Sequence, residues 1–309
     1  MNRVAGLAQV EFNMPLEIYL PDPIIETLES QVIIPNKVLS PTLGVIIKTT
    51  DTADAYSYLK SIQQKAKKYN AHLDIKEVAS AAGAGSAIQK LREIPGIYGI
   101  INLSRFGGAD RALSDMIPAR LDLDCTSSNT LGALVANPSN IGFRLAPCAA
   151  VACYKVLEYE YGEDLSGLNI AILGRSLRVG RPLAEILCQK NATVTVMHSK
   201  SEIHSQELWN YDIVISAMGV PNELDVSDLI YDKDYDSGIE ERFPQTIIDV
   251  GMGIDKTGNI CGDIDRTGLA PYTGTMKITP TIGGIGKLAT TILFSKLFAN
   301  AANSRGIVL

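Results

Sequence analysis

The chain has 309 residues, 46% of them apolar and 20% charged, with a net charge of −6. That length accommodates two modest domains or one large α/β domain, and an acidic balance argues against a nucleic-acid partner, which needs a basic face. Five scattered cysteines without a CxxC pair, and only three histidines, offer no zinc-ligand spacing.

Residues 1–40 are the least legible, because three prolines within 15–23 interrupt any long element. From there the pattern sharpens. "LGVIIKT" (43–49) is a short, β-branched, turn-bounded strand. Asp51 and Thr52 offer an N-cap, and Ala55, Leu59, Ile62, Ala66 and Tyr69 mark one face of an amphipathic helix over 53–69. "HLDIKEV" (72–78) reads as a strand, 84–93 as a helix and "YGIINL" (98–103) as a third strand. A helix around "AAVACYKVLEYEY" links this half to the next, with the seam near 147–165. Then follow strands at 168–174, 192–198, 212–219, 246–253 and 276–280, a helix at 180–191 and a closing helix at 286–304. Residues 222–245 are acidic and turn-rich, an exposed excursion. Alternating strands and helices favour parallel sheets.

The most informative stretch is "LNIAILGRSLRVGRPLAEIL". A buried strand ends at Gly174, and Gly180 with Pro182 opens a helix. Backbone N–H groups and the helix dipole at such a junction suit a pyrophosphate, although a plain strand–turn–helix corner has the same shape. An NAD site places an acid at the end of the next strand; here that strand ends "MHSKS", with His198, Ser199 and Lys200, and Arg175 lies in the loop. A hydroxyl with cations suits a 2′-phosphate, so NADP is expected ahead of NAD.

These residues resemble the bifunctional methylenetetrahydrofolate dehydrogenase/methenyltetrahydrofolate cyclohydrolase family. "LNIAILGRSLRVGRPLAEILCQKNATVTVMHSKS" is similar to its GRSxxVGxP loop and CHSxT strand end, "YDIVISAMGVP" to ADIVISAVGxP, and "ITPTIGGIGKLATTIL" to TPVPGGVGPMTxxxL. The resemblance covers roughly 43–302 and is dense from 147 to 290. It implies an α/β fold of two domains with a cleft between them. An N-terminal substrate domain (1–147) is followed by a Rossmann-like doubly wound domain (148–285), and the last helix (286–304) packs back on the first. It implies cofactor-binding roles for Gly174, Arg175, Ser176, Val179, Gly180, Pro182, His198, Ser199 and Gly219. It further implies oxidation of 5,10-methylenetetrahydrofolate with NAD(P)+, hydrolysis of the methenyl product, and a homodimer formed through the nucleotide domain.

On the substrate side the family carries a helical Tyr-x-x-x-Lys, and "YSYLK" supplies Tyr56 and Lys60 at that spacing. Such a pair shares one helix face. The resemblance makes the Tyr56 ring a stacking platform and Lys60 the proton-transfer group for hydrolysis, whereas a helical lysine in isolation reads as a solvated charge. Asn102 stands where the family's glutamine steadies the lysine. Asp124, in "LDLDC", takes the place of the carboxylate that binds the pterin's amino edge; alone it reads as a turn aspartate. Gly283 and Gly284 complete the substrate wall. The family's V-Q-L-P-L-P appears as "INLSRF", its K-D-V-D-G lysine as Leu121 and glycine as Cys125, and a proline as Lys287. The nucleotide side is thus better kept than the folate side. That leaves open a relative acting with NAD(P) on another substrate, or a catalytically silent nucleotide-binding homologue. The partner expected is a tetrahydrofolate-type small molecule. The odd thiol count points to a reducing cytoplasm. No apolar h-region and no run near the ~18 residues of a membrane span are seen.

Overall fold

The computed structural model describes residues 17–18, 21–136, 146–202, 207–231, 243–255, 259–267 and 276–307. Residues 1–16 lie outside that set, as does 232–242, the middle of the acidic excursion.

The first half is built on three parallel strands. They are β2 (Thr42–Lys48), β3 (His72–Val78) and β4 (Ile97–Asn102), in the order β3-β2-β4. Helix α2 (Ala53–Tyr69) connects β2 to β3, and α3 (Ala81–Leu91) connects β3 to β4. Side-chain caps set both starts. Thr52 Oγ1 accepts from Ala55 N–H at 3.3 Å, and Ser80 Oγ accepts from Gly83 N–H at 3.2 Å. Asn70 closes α2 in the left-handed conformation, at φ 60°. The helix face read from sequence is the buried one, with Ile62 and Tyr69 at 0% and 1% exposed.

Before this sheet, β1 (Glu17–Ile18) and α1 (Asp22–Leu28) precede a π turn and a 3-10 turn that run to Leu39. Pro23 is tolerated because it sits in the first turn of α1, where its missing N–H would have no partner. Helices α4 (Asp110–Asp115) and α5 (Ser128–Ala136) follow β4, and α6 (Cys148–Tyr161) leads into the second half.

There β5 (Asn169–Leu173), α7 (Gly180–Gln189), β6 (Thr193–Met197), β7 (Ile213–Ser216), α8 (Val226–Leu229) and β8 (Thr246–Asp249) follow in turn. The strand expected over 246–253 stops at Asp249. Gly253–Ile254 (β9) instead pairs antiparallel with Ile260–Cys261 (β10) in a separate ribbon. With β11 (Lys277–Ile278) the large sheet runs β1-β11-β8-β7-β5-β6, and every pairing in it is parallel. A segment from the chain start, β1, therefore forms one edge of the second sheet. Nothing in its short, proline-flanked sequence signals that.

Helix α9 (Ile285–Ser304) then returns to the first half. It packs on α1, α2, β4 and α6. Its Thr290 hydroxyl meets Ser61, and Asn300 Nδ2 donates to the Tyr98 carbonyl at 3.0 Å. Leu288, Ile292, Leu293, Phe294, Leu297 and Phe298 are all fully buried. They share one continuous apolar core with α2, α6, α7, β2 and β5, so the two sheets are joined through helices.

Candidate functional site

The loop after β5 is shaped by two glycines. A Cβ on Gly180 would lie 1.9 Å from the Gly174 carbonyl oxygen, and a Cβ on Gly174 2.4 Å from the Ala217 oxygen, with Gly174 at φ +125°. Backbone passes backbone at that distance only without side chains. Val179 N–H donates to Ser176 Oγ at 3.1 Å, which folds the loop back before Gly180 starts α7. Pro182 fits the first turn of α7 and is buried. The N-terminus of a ten-residue helix, the positive end of its dipole, thus meets a glycine cradle, which fits the pyrophosphate of a dinucleotide.

Gly174 N–H donates to the Met197 carbonyl at 2.9 Å, so Arg175 and the residues after β6 leave neighbouring strand ends. Arg175, Ser199 and Lys200 are exposed there. His198 Nδ1 accepts from Lys200 N–H at 3.1 Å and holds the turn. The next loop, 217–220, is set by Asp263. Its carboxylate accepts from Ser216 Oγ (2.8 Å), Met218 N–H (2.8 Å) and Val220 N–H (2.9 Å), which shapes the backbone around Gly219. The sequence reading gave Asp263 no role.

On the other side, Asp124 is placed by strand packing. Segment 121–125 lies against β4: Ile100 N–H donates to the Leu121 carbonyl at 2.7 Å. Gly99 must lack a side chain, since its Cβ would come within 2.1 Å of Leu123. Asp122 is structural, accepting from Thr126 N–H, Ser127 N–H and Thr130 Oγ1. Among the described residues, Asp124 Oδ1 receives a single long bond, from Cys148 N–H at 3.4 Å. Burial raises its pKa above the usual carboxylate range, Arg178 and Lys296 pull it down, and Asp122 raises it further.

Lys296 reaches this loop from α9. Its buried Nζ donates to the Ala146 carbonyl at 2.5 Å and the Leu123 carbonyl at 3.0 Å, with Cys125 Sγ at 3.6 Å. Burial opposes its charge, but Cys125, Cys148 and Asp124 around it raise its pKa. Burial also pushes the Cys125 thiol up to about 11, so it is a neutral neighbour of Lys296 at neutral pH. Cys125 holds its turn at φ +49° where the family has glycine.

The expectation for "YSYLK" is corrected. Tyr56 is 42% exposed, and its hydroxyl donates to the carbonyls of Lys48 (3.2 Å) and Thr49 (3.0 Å). Lys60 is exposed, and its Nζ makes no hydrogen bond or ion pair among the described residues. The tyrosine turned inward is Tyr58. Burial pushes its hydroxyl well above the usual phenol range; Asp124 and Cys148 beside it add to the shift, and Arg178 opposes it. One helical turn beyond Tyr58 stands Ile62, fully buried, not a lysine. A signal for this was present: Tyr58 lies three residues after Ala55 and four before Ile62, on the apolar face. Asn102 ends β4, but its Oδ1 accepts from Ser104 N–H at 3.2 Å and does not serve Lys60.

Arg178, unassigned from sequence, joins the two sides. It stands on the glycine loop, and its Nη2 donates to the Asn102 carbonyl at 2.7 Å. Asn102, Ser104, Arg105, Ser176 and Arg178 help line a cavity of about 410 Å³ between the halves. A larger cavity, about 730 Å³, opens at the other end of β4 by Arg92, Tyr98 and Asn300, and none of the site residues expected from sequence lines it. Gly283 and Gly284 form the turn that begins α9, and Lys287, in place of the family's proline, pairs with Asp22 of α1 at 2.6 Å.

Comparison with known proteins gives a consistent result. The model of the tetrahydrofolate dehydrogenase/cyclohydrolase NAD(P)-binding domain family matches residues 147–305. The bifunctional protein FolD of Coprothermobacter proteolyticus is 31% identical over 279 residues, spanning 90% of this chain and 93% of that protein. FolD of Alkaliphilus oremlandii is 30% identical over 278 residues, spanning 88% and 91%. The bifunctional 5,10-methylenetetrahydrofolate dehydrogenase/cyclohydrolase structure from Thermoplasma acidophilum superposes with TM-score 0.75 at 25% identity, over 94% of this chain and 100% of that one. The Trypanosoma brucei enzyme, solved with NADP and an inhibitor, shares the fold with TM-score 0.78 at 21% identity, over 94% and 99%.

Proposed function

Because the chain belongs to the tetrahydrofolate dehydrogenase/cyclohydrolase family, we propose that it oxidises 5,10-methylenetetrahydrofolate with NADP+ and hydrolyses the methenyl product to 10-formyltetrahydrofolate. The observation that carries this reading is the meeting of Tyr58, Asp124 and Arg178 beside the glycine loop. In this reading the first half (1–147) holds the folate and the second (148–285) the nucleotide, with the last helix packed back on the first half.

The work of the protein is mainly positioning, because hydride transfer needs the substrate carbon held against an acceptor. Asp124, whose charged form Lys296 and Arg178 favour against burial, offers a carboxyl to the amino edge of a pterin. The partly buried Tyr58 ring offers a flat apolar face. Gly174, Ser176, Val179, Gly180 and Pro182 would hold the pyrophosphate, Gly219 the facing loop, and Arg175, His198 and Ser199 a 2′-phosphate, with NAD able to use the same cradle. When bound, the nicotinamide supplies the hydride acceptor. Gly283 and Gly284 would close the substrate wall from α9.

The test is direct: purified protein is mixed with 5,10-methylenetetrahydrofolate and each nicotinamide cofactor. Reduced cofactor should accumulate, faster with NADP+. No turnover with either one would sink the reading.

A second reading, oxidation without efficient hydrolysis, is favoured by one observation: Lys60 is exposed while Ile62 takes the inward position. Among the described residues, no lysine takes the place of Lys60 at the cavity between the halves, whose lining includes Asp110, Arg105, Arg111 and Arg178. Decay of the methenyl cation with and without enzyme separates the two readings. A homodimer through the nucleotide half is part of the proposal. It is supported by β6, an edge strand with Val196 at 37% exposure. A stable monomer in sedimentation at micromolar concentration would count against it.

A further inference from the structure

Arg178 belongs by position to the cofactor loop and by contact to the substrate side. It lies between Ser176, which folds the loop, and Gly180, which opens α7. Yet its guanidinium donates across the gap to the carbonyl of Asn102, the last residue of β4, at 2.7 Å. From there its charge acts on both Tyr58 and Asp124. Among the described residues, the bond to Asn102 is the one side-chain hydrogen bond from the 174–180 loop to the first half.

We propose that Arg178 is the positioning residue that couples the two sites: occupancy of the glycine loop by NADP+ fixes its guanidinium beside Asp124 and Tyr58, and so tightens folate binding. This rests on the proposed function and adds to it.

The groups that face Asp124 make the coupling electrostatic as well as steric. Lys296 supports it from α9, Asp122 opposes from its own loop, and Cys125 and Cys148, both protonated at neutral pH, lie alongside. Tyr58 faces it from α2. Lys296 is fixed by two carbonyls within one half, so its help is constant. Arg178 is the one cation in this set carried by a loop the cofactor contacts. Arginine suits the task because its planar fork can hold a carbonyl and still present N–H groups to a carboxylate. By linkage the effect is reciprocal: folate must tighten NADP+ by the same factor.

The experiment uses the full chain and tetrahydrofolate, which has no one-carbon unit to oxidise, as the probe. Its dissociation constant is measured with and without NADP+, for wild type, Arg178→Met and Arg178→Lys. Wild type should bind tetrahydrofolate about tenfold more tightly when NADP+ is present, a coupling of ordinary size. Arg178→Met should abolish that gain while leaving the dissociation constant for NADP+ alone within about threefold, which also certifies folding. Arg178→Lys keeps the charge and should retain part of the gain. The pH at which tetrahydrofolate binding weakens should move upward in Arg178→Met, since Asp124 loses a cation; a purely structural role would not move it. Equal coupling in wild type and Arg178→Met overturns the proposal, as does no coupling in wild type. So does a loss of NADP+ affinity in Arg178→Met that leaves the coupling intact. A wild type that oxidises 5,10-methylenetetrahydrofolate yet shows any of these results refutes only the coupling. A wild type that neither binds tetrahydrofolate nor turns over refutes the proposed function with it.

Discussion

Tyr58 and Lys60 are two residues apart on one helix, and two residues are about 200° of rotation. One of them can face the cavity; both cannot. Tyr58→Ala should therefore raise KM for the folate by about tenfold or more, because a large aromatic platform is lost. Tyr56→Ala and Lys60→Met should leave both half-reactions within about threefold, as surface substitutions away from special features do. Steady-state kinetics on the three variants decide the matter, and a collapse of hydrolysis in Lys60→Met would restore the pair that the spacing suggested. Gly180→Ala brings a methyl carbon to 1.9 Å from the Gly174 carbonyl. It should cost about 1–3 kcal/mol of stability, as overpacking does, and weaken NADP+ binding measurably in a titration.

Helix α2 also carries Lys65, whose Nζ donates to Thr291 Oγ1 (2.5 Å) and Tyr69 Oη (3.1 Å). Burial lowers its pKa to about 8; Glu29 opposes the shift, and Lys68 and Lys287 add to it. The unfolded chain holds this proton up to the ordinary lysine value of 10.5. Between about 8 and 10.5 the unfolded state then binds more protons than the folded one, so stability rises with pH across that window. Below it both states are protonated and the slope vanishes. Denaturant melts at a series of pH values should show the wild type gaining on Lys65→Met through this range; parallel curves would refute the assignment. The 217–220 loop depends on a different element. Asp263→Ala removes three hydrogen bonds at once, so the loop in front of Gly174 should loosen and hydrogen exchange at Met218 and Val220 should quicken.

At the scale of the molecule, α9 is the joint. From Leu288 to Phe298 it is buried on every face, it supplies Lys296 to the Asp124 loop, and its core residues touch both sheets through α2 and α6. A chain cut after residue 284 should lose the first half's core along with the helix. Circular dichroism and a lost cooperative melt would register it, whereas a normally folded truncation would show that the halves stand independently.

Much of this architecture was legible locally. The periodicity of 53–69, the cap at Thr52, the β-branched runs and the glycine spacing of 174–182 each encode their structure within a few neighbours. So the two parallel sheets, the closing helix and the nucleotide cradle could be read in advance. What could not be read depends on groups far apart in the chain. That Asp124 and Arg178 become the neighbours of Tyr58 is decided only when the 121–125 loop and the glycine loop come up to α2. The pairing of β1 with β11 joins the start of the chain to its last strand, with no pattern in either to announce it. Arg178, Lys296 and Asp263 looked like ordinary surface charges, because burial and partners, which make a charge functional, exist only once distant segments meet. Sequence spacing recorded the glycine loop of the NAD(P)-binding domain, whose shape depends on backbone passing close to backbone. The tertiary structure decided the substrate side, where the side chains come from α2, β4, the 121–125 loop, the glycine loop and α9, and their directions are set only by the fold.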